Sequence, residues 1–322
     1  MPNLRTLALA AGAFFALSGT VTAQDYPTRA VKIIVPFASG GSADIFARIV
    51  GQHLSEAFKQ PFVIENRPGA GSIIGSDAAA KSAPDGYTLL MVSSAHATNE
   101  SLVPNKPFVL MRDLMAVAPV NYFDMALVVA LSLPANNVKE LIALAKSKPG
   151  GLNYASSGPG TPYHMAGELF KTMAKVELVH VPYKLASAAR TDVIGGQVQM
   201  MFDAVGTMAG NIQAKQVKAL ATTAKARSAS FPDVPTLDES GVPGYEAVSW
   251  LGLMAPTGTP KAIVDKLNVE VGKFASRPDI KAAWAKQSVE PSVMSAADYD
   301  KFLRAEIDKW AEVVRVSGAK IE

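Results

Sequence analysis

The stretch Val31-Lys32-Ile33-Ile34-Val35-Pro36-Phe37-Ala38-Ser39-Gly40-Gly41-Ser42-Ala43-Asp44-Ile45-Phe46 reads as a strand, a loop and the opening of a helix. Val31 to Val35 is short, apolar and rich in β-branched residues, the pattern of a strand buried on both faces. Gly40-Gly41 supplies a turn with positive φ. Ser42 to Phe58 has helical periodicity, with Ile45, Ile49, Leu54 and Phe58 read as the inward side and Ser42 as the N-cap. A glycine loop between strand and helix leaves backbone N–H groups at the positive end of the helix, which suits an anion.

The unit recurs as Leu152-Asn153-Tyr154-Ala155-Ser156-Ser157-Gly158-Pro159-Gly160-Thr161-Pro162-Tyr163-His164. Thr161 is the expected N-cap there, with Pro162 at the first helical position. Two such loops, far apart in sequence, suggest two lobes closing on one negatively charged ligand.

Outward from these loops, strand-like and helix-like segments alternate, which predicts an α/β chain with largely parallel sheets. Strands are expected at Phe62 to Glu65, Tyr87 to Val92, Met115 to Val120, Ala126 to Ala130, Val179 to Pro182, Gln199 to Phe202 and Ala219 to Thr222, with extended chain from Glu246 to Met254. Helices are expected at Val138 to Ser147, Ala186 to Ile194, Lys261 to Phe274, Pro278 to Gln287 and Ala296 to Val316. A first lobe left near residue 121 and re-entered near 247 gives a discontinuous lobe of residues 24–121 and 247–322. Residues 122–246 form the inserted second lobe.

A chain of 322 residues suffices for two cores, and 49% apolar with 18% charged content is that of a globular protein. A net charge of +3 with no basic run argues against nucleic acid or an anionic membrane as partner. Arg5, the apolar run Leu7 to Leu17 and Val21-Thr22-Ala23 read as a signal peptide cleaved after Ala23. The product is expected to be exported, soluble and monomeric. Cysteine is absent, which removes thiol catalysis, disulfides, thiolate metal sites and a lipid anchor on cysteine.

No Gly-Lys-Ser/Thr follows the first loop, so it is not a P-loop. Gly69-Ala70-Gly71-Ser72-Ile73-Ile74-Gly75 misses the dinucleotide spacing by one, and the acidic residue that should follow is missing. His53, His96, His164 and His180 form no metal-binding pair, and no nucleophile elbow is present. His53 reads as a surface residue, whereas His96 and His164 are either cleft-facing or capping. Asp44 either meets a ligand or braces its own loop. Trp250, Trp284 and Trp310 read as packing residues.

Further motifs then carry a resemblance. They are Tyr26-Pro27, the loop from Ile34 to Asp44, Glu65-Asn66-Arg67-Pro68-Gly69-Ala70-Gly71, Pro84-Asp85-Gly86-Tyr87-Thr88-Leu89-Leu90 and Val181-Pro182-Tyr183-Lys184. Gly195-Gly196-Gln197-Val198, Phe231-Pro232-Asp233-Val234-Pro235-Thr236 and Gly244-Tyr245-Glu246 complete the order. In this the chain resembles the Bug family, periplasmic solute-binding proteins of tripartite tricarboxylate transporters. The resemblance implies a type II-like two-lobed binding protein, each lobe a mostly parallel sheet flanked by helices around a hinge. It implies an amino acid, a di- or tricarboxylate or an aromatic acid as ligand, permease subunits as partners, and neither cofactor nor metal.

The expected ligand contacts are Phe37, Ala38, Ser39, Gly40, Gly41, Ser42 and Asp44 in the first loop, with Ser93, Ser94 and His96 beside it. The second lobe is expected to add Ser156, Ser157, Gly158, Thr161 and His164, together with Tyr183 and Asp203. Leu185, Ser39 and Gln199 depart from the family pattern, and Leu185 and Ser39 are expected to reshape the pocket. The expected function is capture of a small organic carboxylate for a membrane transporter. The alternatives are a ligand-sensing partner of a signalling receptor, or a secreted hydrolase or dehydrogenase.

Overall fold

The computed structural model describes residues 26–319, so the signal-peptide reading lies outside the described residues. The chain begins with β1 (Val31–Val35), α1 (Ser42–Phe58), β2 (Phe62–Asn66), α2 (Ile73–Ala80), β3 (Thr88–Ser93), α3 (Ser94–Leu102), α4 (Leu110–Asp113) and β4 (Leu114–Phe123). It continues with β5 (Met125–Ala130), α5 (Val138–Ser147), β6 (Asn153–Ser156), α6 (Pro162–Ala174), β7 (Val179–Pro182), α7 (Ala186–Ile194), β8 (Met200–Ala204), α8 (Val205–Gln213) and β9 (Val217–Thr222). It ends with β10 (Ser249–Pro256), α9 (Lys261–Ser276), α10 (Pro278–Ala285), β11 (Val289–Pro291) and α11 (Ala296–Ser317).

The strands form a six-stranded sheet, β11-β4-β10-β3-β1-β2, and a five-stranded sheet, β7-β6-β8-β5-β9. β1 lies parallel between β2 and β3, and β6 parallel between β7 and β8. The strands that reverse direction next to these are β10 and β5, each of which enters its sheet after a crossing from the other. The first crossing consists of Asp124 alone, between β4 and β5; the second is the long segment from β9 to β10. The result is the α/β two-sheet architecture expected from the alternating pattern.

Helices cover both faces of each sheet. On one side β1, β3, α1 and α9 enclose Val31, Ile33, Leu54, Leu89 and Leu267. The largest core runs unbroken across both sheets, from Ile34 and Leu90 through Trp250, Leu303 and Trp310 to Met165, Phe170 and Phe202. α11 makes that join, packing on α3 and β4 and also on α6. Trp250, Trp284 and Trp310 are all buried, as their packing role requires.

Three local expectations change. Gly41, in extended conformation, is the N-cap of α1, Ser42 is its first helical residue, and no side chain caps the helix. The inward stripe of α1 is Ala43, Phe46, Ala47, Val50 and Leu54, whereas Ile45 is 48% exposed. Small alanines let the helix approach the sheet closely, and that fit fixes its rotation. His53 is half-buried rather than a surface residue: its Nε2 lies 3.0 Å from Glu270 Oε1 and its ring 4.9 Å from that of Phe274. α3, α4, α8 and β11 were not anticipated. Ser94-Ala95-His96-Ala97-Thr98-Asn99 is small and polar with no apolar periodicity, yet all six residues are buried.

Candidate ligand-binding site

The first loop follows β1 at the end where parallel strands of α/β sheets present ligand sites. Gly40 has φ +81°, which explains glycine there. Asp44 does not face outward from this loop. The Gly40 N–H and the Ser39 hydroxyl donate to its Oδ2 at 2.8 and 3.1 Å. Arg48 Nε donates to the same oxygen at 3.1 Å, and another Arg48 nitrogen lies 2.8 Å from Oδ1. Arg48 also donates to Asn66 Oδ1 at 3.1 Å, and Asn66 donates to the Phe37 carbonyl at 3.2 Å. Burial works against the charged carboxylate, but the bonds from Arg48, Gly40, Asn66 and Ser39 outweigh it and hold its pKa down at about 2. Asp44 is therefore an internal brace, while the first turn of α1 keeps N–H groups that no side chain caps.

Beside this loop, Ser93 caps α3 and Ser94 Oγ lies 3.1 Å from Ser249 Oγ. The Ser93 N–H donates to His96 Nδ1 at 3.1 Å, and His96 Nε2 lies 2.9 Å from Ser76 Oγ. A backbone N–H can only donate, so Nδ1 is the acceptor and the His96 proton sits on Nε2. Burial pushes its pKa down to about 4. The Phe37 ring stands edge-on to His96 at 5.8 Å. Ala38 is exposed and Ser42 half-buried.

The second lobe repeats the device. The Gly160 N–H donates to His164 Nδ1 at 3.1 Å, and Thr161 Oγ1 accepts from the His164 N–H at 3.4 Å, the cap expected from sequence. Ser156 Oγ lies 2.6 Å from His180 Nε2 and accepts from the Gly158 N–H at 3.1 Å. The His164 and His180 rings stack at 4.0 Å, with Tyr154 beyond them. Burial, and next the nearby Lys171, lowers His164 to about 4. Burial and the His164 neighbour lower His180 to about 3. Beneath the rings, Tyr154 donates to Glu168 at 2.5 Å and Lys171 donates to it at 2.7 and 3.0 Å. The carboxylate is thus buried with a cation and a hydroxyl, as a buried charge requires. Gly167 admits this packing, since a Cβ there would lie 2.3 Å from the Tyr154 ring.

Tyr183 joins this loop through its backbone, its N–H donating to the Ser156 carbonyl at 3.0 Å. Its hydroxyl donates to Asp192 at 2.6 Å, and burial together with that partner moves its pKa up to about 12. Asp203 is fully buried. It accepts from Arg190 at 2.5 Å, from the Ala204 N–H at 2.8 Å and from Thr207 at 3.2 Å. Burial raises its pKa in spite of Arg190. Leu185 has an extended backbone, φ −133°, which any residue adopts, and its side chain is 59% exposed.

The expected residues therefore fall into two clusters, one per sheet, with Asp203 in a third setting near Tyr163. Among the described residues no hydrogen bond joins the two loops. Tyr163 packs against the core shared by both sheets and against the separate core of the six-stranded sheet. Ser157 makes no side-chain hydrogen bond among the described residues. Asn121 was missed. Cross-strand register sets it in one row with Leu251 and Ser93, and its fully buried amide has no hydrogen-bond partner among the described residues. Arg48 was missed too, although its spacing of four from Asp44 is a legible helical ion pair.

Residues 46–318 match the family described as "Tripartite tricarboxylate transporter family receptor". The chain is 36% identical to "Protein BugT" of Bordetella pertussis over 325 residues, which is 99% of this chain and 100% of that protein. The structure titled "R. palustris Rpa4515 with adipate" superposes with TM-score 0.85 at 35% identity, covering 92% of this chain and 100% of that one. "MatC (Rpa3494) from Rhodopseudomonas palustris with bound malate" superposes with TM-score 0.81 at 30% identity, covering 90% and 100%. Sequence and fold agree that the chain belongs to the tripartite tricarboxylate transporter receptor family, to which the Bug proteins belong.

Proposed function

We propose that this protein captures a small organic carboxylate in the periplasm between two lobes and delivers it to membrane permease subunits. The lobes are assigned to residues 24–121 with 247–322, and to residues 122–246. The observation that carries this reading is the first loop: a braced Gly40-Gly41 turn that sets an uncapped helix N-terminus at the end of β1. A carboxylate there accepts backbone N–H bonds without competition from Asp44, whose charge is already engaged by Arg48.

Magnitudes point to the second lobe. An anion at a helix N-terminus gains about 0.3–1 kcal/mol, at most about 2. Micromolar binding corresponds to about −8 kcal/mol. The dipole of one helix falls well short, which supports a contribution from the Ser156 to Thr161 loop on closure. Contacts made only when both lobes meet are what drive the hinge. No bond is made or broken, so the role is capture and not catalysis.

Adipate and malate, bound in the two related structures, are the starting probes. A thermal-shift screen of organic acids tests the reading, because a ligand bound only by the folded state raises the melting temperature. At least one di- or monocarboxylate should produce a saturable rise. If no acid does so, the reading fails.

A further inference from the structure

A second pocket lies at the lobe junction, apart from the glycine loops. Its volume is about 500 Å³, within the range of small-molecule sites. Both crossings wall it: Asp124 comes from the first, and Glu246 and Val248 from the second. Phe302, Glu306 and Lys309 of α11 and the segment from Ser288 to Glu290 close the other side. Ser228 and Ser288, whose hydroxyls lie 2.7 Å apart, link the lobes at its edge.

Six charged groups line it: Asp124, Arg227, Glu246, Glu290, Glu306 and Lys309. Most are already engaged. Glu306 accepts from Trp250 at 2.7 Å and Trp310 at 3.1 Å, with Lys309 at 3.4 Å. Glu246 pairs with Lys225 at 3.3 Å. Arg227 is bound to Glu239 at 2.8 Å and to the Pro232 carbonyl at 3.1 Å. Asp124 and Glu290 are left without a cationic partner among the described residues. Burial, and next the charge of Glu290, pushes the Asp124 pKa up to about 6. Apart from Ser228 and Ser288, the rest of the wall is apolar and aromatic, with Val248, Val289 and the Tyr122 and Phe302 rings edge-on at 5.7 Å.

We propose that this pocket is a second ligand site, for a small organic ammonium cation with an apolar body. The ammonium sits between Asp124 and Glu290, and the apolar part lies against Tyr122 and Phe302, whose faces also attract a cation. The same carboxylates repel an organic acid, so this site and the carboxylate site select opposite charges. A bare metal ion is not the match, because among the described residues no group of three or more His, Asp or Glu is disposed to hold one.

The test uses the purified chain near neutral pH, with phenethylammonium chloride as probe and 2-phenylethanol as its neutral isostere. Calorimetry and thermal shift should show saturable binding of the cation and none of the alcohol. Asp124→Asn and Glu290→Gln, alone and together, should weaken the cation by about tenfold or more while carboxylate binding persists. At about pH 5, below the Asp124 pKa, cation binding should also weaken. Absence of saturable binding overturns the proposal, as does equal binding of the alcohol or undiminished binding by the double variant. If a substitution impairs folding, the cation-versus-alcohol comparison on the unaltered chain decides. Carboxylate binding measured in the same samples separates failure of this site from failure of the carboxylate reading.

Discussion

The Gly40 N–H donates to Asp44 Oδ2 at 2.8 Å, so the one carboxylate in the first loop is bound to the loop itself. Asp44→Ala leaves this donor and the Arg48 guanidinium without their acceptor. Arg48 is half-exposed and can recover hydration, so the loss should be about 1–3 kcal/mol and not the larger cost of a fully buried pair. Urea denaturation should show it, together with weaker carboxylate binding as the turn loosens. Unchanged stability would mean that the brace does not hold the loop.

Gly41→Pro probes a single donor of the first loop. Gly41 has φ −79° and ψ 169°, within reach of proline, and a Cβ there meets only the Ala38 carbonyl at 3.6 Å. The substitution should remove one N–H donor and leave the fold intact. Melting temperature should hold while carboxylate affinity in calorimetry falls by about tenfold, the worth of one charge-assisted bond. Full affinity in the variant would remove the Gly41 N–H from the site.

Acid should loosen both loops. An ordinary histidine takes up its proton near pH 6.5, whereas His96, His164 and His180 resist to about 4, 4 and 3. Their folded pKa values are depressed, so their stabilisation is fully present above about pH 6.5 and is lost as pH falls through about 4. For His96 the linkage is on the order of 3 kcal/mol. Asp124 acts with the opposite sign, because its raised pKa favours the fold as pH falls through about 6. The histidine share is therefore read by difference. His96→Asn keeps an acceptor for the Ser93 N–H but does not titrate, so urea midpoints between pH 7 and 4 should fall less steeply. Slopes equal to those of the unaltered chain would refute this.

Asn121→Leu should raise stability by about 1 kcal/mol, because it removes a buried amide with no partner among the described residues. Its register with Ser93 places it at the ligand end of the sheet, so carboxylate affinity should fall at the same time. A rise in melting temperature with undiminished affinity would separate Asn121 from the site.

The two strand–loop–helix units were legible because each carries strong local signals: β-branched runs, glycines in positive-φ turns, and Thr161-Pro162 at a helix start. α5, α6 and α7 fall at their expected positions for the same reason. The rotation of α1 was not legible, since Ile45 is as apolar as the residues that pack, and only the fit of Ala43 and Ala47 to the sheet selects the stripe. α3 was hidden because its burial comes from tertiary packing of small polar residues. The roles of His96 and His164 needed three dimensions, where each turns out to accept a backbone N–H beside its loop. Arg190 and Asp203, thirteen residues apart, gave no spacing signal for their pairing.

The unbroken core that α11 carries from one sheet to the other has a calorimetric consequence. Parting the lobes at α6 and α11 would bring water to the side chains around Met165, Phe170, Leu303 and Trp310. If the proposed hinge parts the lobes there, closure re-buries that apolar surface whatever the polarity of the ligand. Binding of even a very polar acid should then carry a negative heat-capacity change larger than the acid's own small surface can supply. Titrations at several temperatures would thereby measure the motion of the lobes from the slope of the binding enthalpy.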